Sequence, residues 1–359
     1  MKHLAAIIIP VLVLLVVDMN DKCAHVESRR SGMMYQLYVF GDSYADTGNL
    51  PKSNLSRESR QWYKPYGNPS PSGRFSNRFV QSDFIASWLG HHEAPQTFRL
   101  RNRNDIRRFG MNFAVAGSGV LEVPEKVGTL SKQVDNFEGL IKDRTFPPWR
   151  LRFSLALIAI SGNDYARIAN MTSSTSSNDT LALIETVTTG IAKEVQRLQD
   201  LGMNRILVNN MHPLGCTPFR TRPNNYTHCD DVANAVAATH NKLLAEKLGN
   251  YRGNVMLLDI NTAFSRVVQP NPNATGSDDE TLAKTFKNKL RPSCESFDPK
   301  GYCGQEDENG SPQYSVTDDL SKDMFSNFYW DDVHPTHTGW FVAMMQLEEE
   351  AKAFLDLKN

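Results

Sequence analysis

The chain has 359 residues, enough for one large domain or two of ordinary size. Lys plus Arg number 39 and Asp plus Glu 40, so the formal net charge is −1 and no broad basic field exists to recruit nucleic acid or an anionic membrane surface. Hydrophobic residues at 40% and charged residues at 22% are those of an ordinary soluble globular protein.

Lys2 and His3 precede an apolar run from Leu4 to Val17, and polar residues begin at Asp18. Those 14 residues are short for a bilayer span but suit the core of a secretory signal. Residues 1–24 are therefore expected to be a signal peptide, cut between Asn20 and His25; a short membrane anchor is the competing reading. No ER-retention tetrapeptide is present at 356–359, so export to the extracellular space or cell wall is the expectation.

Gln36 to Phe40 reads as a strand bounded by turn residues. Gln61 to Asn77 is a loop rich in Pro, Gly and Ser. There Trp62, Tyr63, Tyr66 and Phe75 either pin the loop or stack on a sugar or acyl chain, and Arg74 and Arg78 would ion-pair. Val80–Leu89 and Leu130–Ile141 carry helical spacing, and Gly110–Val115 is a short strand. Phe153–Ile160 is almost continuously apolar, as a central parallel strand requires. Leu181–Leu201 is an amphipathic helix ended by Gly202. Strands Ile206–Asn209 and Val255–Ile260 flank a helix at Asp231–Leu248, Asn271–Ser315 is polar loop, and a last helix runs Thr338–Leu355. With no internal repeat and no dividing linker, the alternation predicts a single domain over 25–359. It would be a three-layer α/β/α sandwich around a parallel sheet with right-handed crossovers.

Cys23 would leave with the signal, and Cys216, Cys229, Cys294 and Cys303 remain, which allows three pairings. A zinc site competes with disulfides, but no CxxC or close Cys-His cluster supports it. Acceptor sequons at Asn54, Asn170, Asn178, Asn225, Asn273 and Asn309 would be exposed and in part glycosylated in a secreted chain. His212-Pro213-Leu214-Gly215-Cys216 reads as a disulfide-anchored turn.

Chemistry concentrates at four segments. Gly41-Asp42-Ser43 makes a sharp corner after the first strand, which exposes the Ser43 hydroxyl at a strand's carboxyl end. Alone it would more simply be a helix cap. About 290 residues on, Asp331-Asp332-Val333-His334-Pro335 places a base and a carboxylate on one short segment. Its plainer reading is a capping acid beside a surface histidine. Ser161-Gly162-Asn163-Asp164 and Asn112-Phe113-Ala114-Val115-Ala116-Gly117-Ser118-Gly119 each follow a strand. Singly they are βα turns; together they supply an amide and glycine-flanked N–H groups for an oxyanion.

These blocks, in this order from about Leu37 to Leu347, resemble the plant GDSL esterase/lipase family of the SGNH hydrolase superfamily. The resemblance implies a flavodoxin-like, five-stranded parallel sheet. It further implies Ser43 as nucleophile, His334 as base, Asp331 ahead of Asp332 as its orienter, and Ser43, Gly117 and Asn163 as oxyanion donors, with Gly119 as fallback. It also implies the local pairs Cys216–Cys229 and Cys294–Cys303. The chain departs from the family at Tyr44, where the name implies leucine, and at Ala116, where many relatives have glycine. Tyr44 is expected to alter packing behind the nucleophile. An α/β-hydrolase is disfavoured, since its Gly-x-Ser-x-Gly would come well into the chain.

The expected protein is a secreted serine esterase with no cofactor or metal, acting on short acyl esters of small molecules or polysaccharide. Nucleic-acid partners and stable membrane insertion are not expected, and oligomeric state is left open. An acyltransferase or a lipid esterase would use the same residues. A non-catalytic carbohydrate-binding relative would have lost some of them.

Overall fold

The computed structural model of the chain describes residues 35–67, 72–101, 108–122, 127–145, 148–166, 177–251, 253–270, 278–317 and 325–357. The expected signal peptide, Cys23, Asn170 and Asn273 lie outside the described residues.

Five short strands form one all-parallel sheet: β1 (Gln36–Gly41), β2 (Gly110–Asn112), β3 (Ser154–Ala159), β4 (Arg205–Asn209) and β5 (Val255–Leu258). Their order is β2-β1-β3-β4-β5, with Leu37 opposite Gly110 on one side and Leu155 on the other. This is the flavodoxin-type order, and its chain reversal falls between β1 and β3.

Alternation along the strands builds the layers. Leu37, Val39, Leu155 and Leu157 face one apolar cluster with Ile85, Phe264 and Trp340. Tyr38, Phe40, Ala156 and Ile158 face the opposite cluster with Phe137, Val187 and Val195. The first face is covered by α1 (Gln81–Trp88), α5 (Ile260–Val268) and α7 (His337–Met345). The second is covered by α2 (Leu130–Lys142), α3 (Ser177–Asp200) and α4 (Asp231–Leu248). The sandwich is three-layered, as the alternation required.

Local chemistry sets the helix ends. Asp230 accepts the N–H groups of Val232 and Ala233 and starts α4, and Thr129 and Thr336 cap α2 and α7 in the same way. Three expectations are corrected. Helix α5 was not anticipated; Asp259 caps it by accepting from Thr262 N. Residues 271–315 are not all loop where described: they hold α6 (Asp278–Thr285) and short strands β6 (Asn288–Pro292), β7 (Cys294–Ser296) and β8 (Tyr314–Val316). Strand β6 pairs with β9 (Asn327–Tyr329), and β7 with β8. The last helix is broken into α7 and α8 (Glu348–Phe354), with buried Leu347 at the break and Glu348, Glu349 and Glu350 on the new N-terminus, where the helix dipole favours acids.

The disulfides are Cys216–Cys229 and Cys294–Cys303, closing separations of 13 and 9 residues. In the chain-entropy picture each contributes about 3 kcal/mol.

Candidate active site

Gly41 ends β1 with φ +145, and a Cβ there would lie 2.1 Å from Ala159 O, so only glycine lets β1 run this close beside β3. The chain then turns tightly, with Ala45 N and Asp46 N donating to Asp42 O. Ser43 is delivered to the carboxyl ends of β1 and β3, at the reversal point of the sheet. Gln133 of α2 clamps the corner: its amide donates to Gly41 O and Ser118 Oγ while its carbonyl accepts from Gly41 N.

The Asp331–His334 segment follows β9 and returns on itself, Trp330 N donating to His334 O. His334 Nε2 lies 2.8 Å from Ser43 Oγ, and its Nδ1 lies 2.8 Å and 2.9 Å from the two Asp331 oxygens. The ionised carboxylate can only accept, so Nδ1 carries the proton and Nε2 accepts from the Ser43 hydroxyl. Asp332 points elsewhere, 3.4 Å from Arg57 Nη1. Asp331 also accepts from Val333 N, His334 N, Tyr66 Oη at 2.6 Å and Arg60 Nη2 at 3.1 Å. Burial works to raise its carboxyl, but the adjoining His334, the Arg60 charge and these hydrogen bonds outweigh it and hold it well below the usual carboxylate range.

The two turns meet beside Ser43. Asn163 Nδ2 donates to Ser118 O at 2.8 Å and, at 3.3 Å, to Asp42 Oδ2. Gly117 has φ +85, and neither its N–H nor that of Ser43 is taken up by a hydrogen bond among the described residues. The Ala116 N–H donates to Asp46 Oδ2, whose carboxylate also gathers Gly48 N, Asn49 N and Leu50 N. Gly119 is filled: a Cβ there would meet Asp164, which accepts from Val120 N and Leu121 N and ties the two turns together. Asp42 accepts from Ser161 N, Ser161 Oγ and Tyr44 N, yet full burial pushes its carboxyl up to about 7.

Ser43, Gly117, Asn163 and His334 line one cleft of about 310 Å³. Leu50, Val127, Tyr165, Leu214 and Phe219 give it apolar walls, and Arg57, Glu58 and Arg220 give it charge. Of the aromatic residues in the loop before α1, only Phe75 lines it, stacked on His334 with centroids 4.6 Å apart. Trp62 instead donates to Leu50 O, and Tyr63 to Ser53 O, so these rings pin the loop. Arg74 reaches out of that loop to Asp83 and Glu93.

Tyr44 does more than fill space. Its hydroxyl donates to Val333 O, inside the Asp331–His334 segment, and lies 3.2 Å from His212 Nε2. His212 in turn donates to Ser161 O; burial, partly opposed by that bond, pushes it down to about 4 and keeps it neutral. Sequence reading missed Arg60 and Gln133 altogether and gave Tyr66 only a loop or stacking role, because each joins segments far apart in the chain. Cys216–Cys229 fixes the turn carrying Leu214, Thr217 and Phe219, and Phe219 N donates to Asp332 O. Among the described residues no cluster of His, Cys, Asp or Glu could hold a metal ion, and no helix is long and apolar enough to cross a membrane.

The family model described as GDSL-like lipase/acylhydrolase matches residues 37–340. The chain is 32% identical over 332 residues to GDSL esterase/lipase At5g03610 of Arabidopsis thaliana, covering 89% of this chain and 88% of that one. It is 32% identical over 329 residues to GDSL esterase/lipase At3g09930 of the same plant, with 89% and 88% covered. Among solved structures, an extracellular lipase from Streptomyces rimosus aligns with TM-score 0.38 at 14% identity, over 88% of this chain and 99% of that one.

Proposed function

Because the chain belongs to the GDSL-like lipase/acylhydrolase family and is a carboxylic ester hydrolase, we propose that Ser43, His334 and Asp331 are its catalytic triad, within a single domain spanning 25–359. The observation that carries this reading is the continuous path Ser43 Oγ to His334 Nε2 at 2.8 Å and His334 Nδ1 to Asp331 at 2.8 Å. Ser43 Oγ bonds to the ester carbonyl carbon while His334 Nε2 takes its proton. The N–H groups of Ser43 and Gly117 receive the oxyanion, and Asn163 Nδ2 joins them by leaving its long contact with Asp42. The carbon–alkoxy bond breaks as His334 returns the proton to the leaving alcohol. Water then attacks the acyl-enzyme, giving its proton to His334, and Ser43 leaves with that proton as the acid departs.

Short acyl esters are the proposed substrates, including those on carbohydrate. A cleft of about 310 Å³ lies at the small end of ligand sites, which supports a short acyl group at the ester. Rates on synthetic esters of rising chain length should peak at about two to four carbons. A peak at about twelve carbons or longer overturns the assignment. Run with an added alcohol acceptor, the same series should release free acid faster than new ester; the reverse would make the protein an acyltransferase.

Secretion is proposed from the apolar leader together with the disulfides, and the described sequon residues Asn54, Asn178, Asn225 and Asn309 are all exposed. Peptide mapping of protein recovered from the medium, without reduction, should find both cystine links and glycan mass on these asparagines. Free thiols at all of these cysteines, or absence from both the medium and the cell wall, would refute secretion.

A further inference from the structure

Resting on the triad just proposed, we infer that Arg60 is a positioning residue that, together with Tyr66, moderates the Asp331 charge felt by His334 and thereby sets the pH at which the base becomes competent. The two Asp331 oxygens are held differently. Oδ1 accepts the backbone N–H groups of Val333 and His334, which belong to its own turn. Apart from His334 itself, Oδ2 takes its donors from the loop ahead of α1: the Tyr66 hydroxyl at 2.6 Å and Arg60 Nη2 at 3.1 Å. Arg60 Nε donates to Tyr66 Oη at 2.7 Å, so the arginine fixes the tyrosine that fixes the carboxylate.

Arg60 is only 6% exposed, and its guanidinium stands 5.0 Å over the Phe75 ring, which also stacks on His334. Burying a guanidinium is costly unless it is paired, and orientation of Asp331 alone needs no charge, since Tyr66 and two backbone donors already supply it. What the cation adds is electrostatic. A carboxylate beside an imidazole favours the imidazolium, which cannot accept the Ser43 proton. A cation on the far side of that carboxylate offsets part of this pull and keeps the imidazole a free base at lower pH.

Of the other groups around His334, Arg220 is paired with Asp230 and Glu58 is exposed. Asp332 is paired with Arg57, Tyr44 is neutral and bonded to Val333 O, and His212 is neutral and bonded to Ser161 O. Arg60 is the cation paired with Asp331. Removing its charge strengthens the hold of Asp331 on a protonated His334, so the acidic limb of the pH–rate profile moves up.

The test is kcat/KM against pH, followed by acid release from a short-chain ester, for full-length wild type, Arg60→Met, Arg60→Lys and Tyr66→Phe. Arg60→Met should raise the acidic limb by on the order of half to one pH unit, below the full effect of a direct ion pair because it acts through Asp331. Arg60→Lys loses the same planar packing but keeps the charge, and its limb should stay within a few tenths of a unit of wild type. Tyr66→Phe should move the limb in the same direction as Arg60→Met. An unmoved limb in Arg60→Met, or equal shifts in Met and Lys, overturns the inference. If Arg60→Met does not fold, an unmoved limb in Tyr66→Phe, which deletes a single oxygen, overturns it instead. Ser43→Ala run in parallel separates the two readings. Surviving activity there sinks the triad itself, whereas an inactive Ser43→Ala with an unmoved limb sinks only the role of Arg60.

Discussion

Ser43→Ala should lower ester hydrolysis by roughly 10⁴- to 10⁶-fold and abolish covalent labelling by a fluorophosphonate. The substitution removes one oxygen whose side-chain partner is His334 Nε2, 2.8 Å away. No core contact depends on that atom, so the thermal unfolding free energy should stay within about 1 kcal/mol of wild type. The N–H groups offered to the oxyanion remain in place, and a small residual rate above water is expected from them. Steady-state rates, active-site labelling and a melting curve check the three parts together. A mutant labelled at wild-type stoichiometry would mean that another serine carries the chemistry. A mutant that is inactive but unfolded would be uninformative about Ser43, which is why the melting curve belongs with the rates.

The sequence was most readable where one local rule decides the outcome. Asp230 followed by an apolar-periodic run marks Asp231–Leu248, and the structure has that helix with Asp230 as its cap. Phe153–Ile160 suits a central strand, because it is almost continuously apolar, and Ser154–Ala159 does lie between β1 and β4. Helix α5 was hidden because its cap, Asp259, directly follows β5 and the pattern there passes for more strand. The break at Leu347 has no glycine or proline to announce it, and the burial of that side chain is a tertiary fact. The site shows the same division. Ser43, His334 and Asp331 stand in recognisable segments. Arg60 and Tyr66 look like any surface arginine and loop aromatic, and their partner is more than 260 residues away. Only the unusual sight of a buried arginine reveals them, and burial is not a property that one sequence displays. Tyr44 lies between these cases. Its departure from leucine was visible, but its hydrogen bond to Val333 O was not.

Asp331→Asn should reduce kcat by about 10⁴-fold, whereas Asp332→Asn should change it by no more than about threefold. The reason lies in who donates to whom. In the wild type, Asp331 accepts the His334 Nδ1 proton, and Nε2 is left to accept from Ser43. Both carboxylate oxygens face Nδ1, so an asparagine puts a donor nitrogen in place of one of them whichever way its amide turns. A donor at that position selects the tautomer with its proton on Nε2, which cannot take another from Ser43. Asp331→Asn also strips Arg60 of its buried counter-charge, so it should cost about 3 to 5 kcal/mol of stability. Its pH signature follows from the sign of the shift. The folded carboxyl is held below its unfolded value, so its stabilising contribution is present above the ordinary carboxylate pKa of about 4 and fades as the pH falls from there toward the depressed value. The stability of Asp331→Asn should therefore depend less on pH on the acid side than that of wild type. Asp332, by contrast, pairs with Arg57 at 3.4 Å in a partly exposed pair, and its loss leaves the Ser43–His334–Asp331 path intact. Turnover and acid-side melting curves of both variants decide between the two carboxylates: the reverse ranking in kcat would make Asp332 the partner of His334 in the working enzyme.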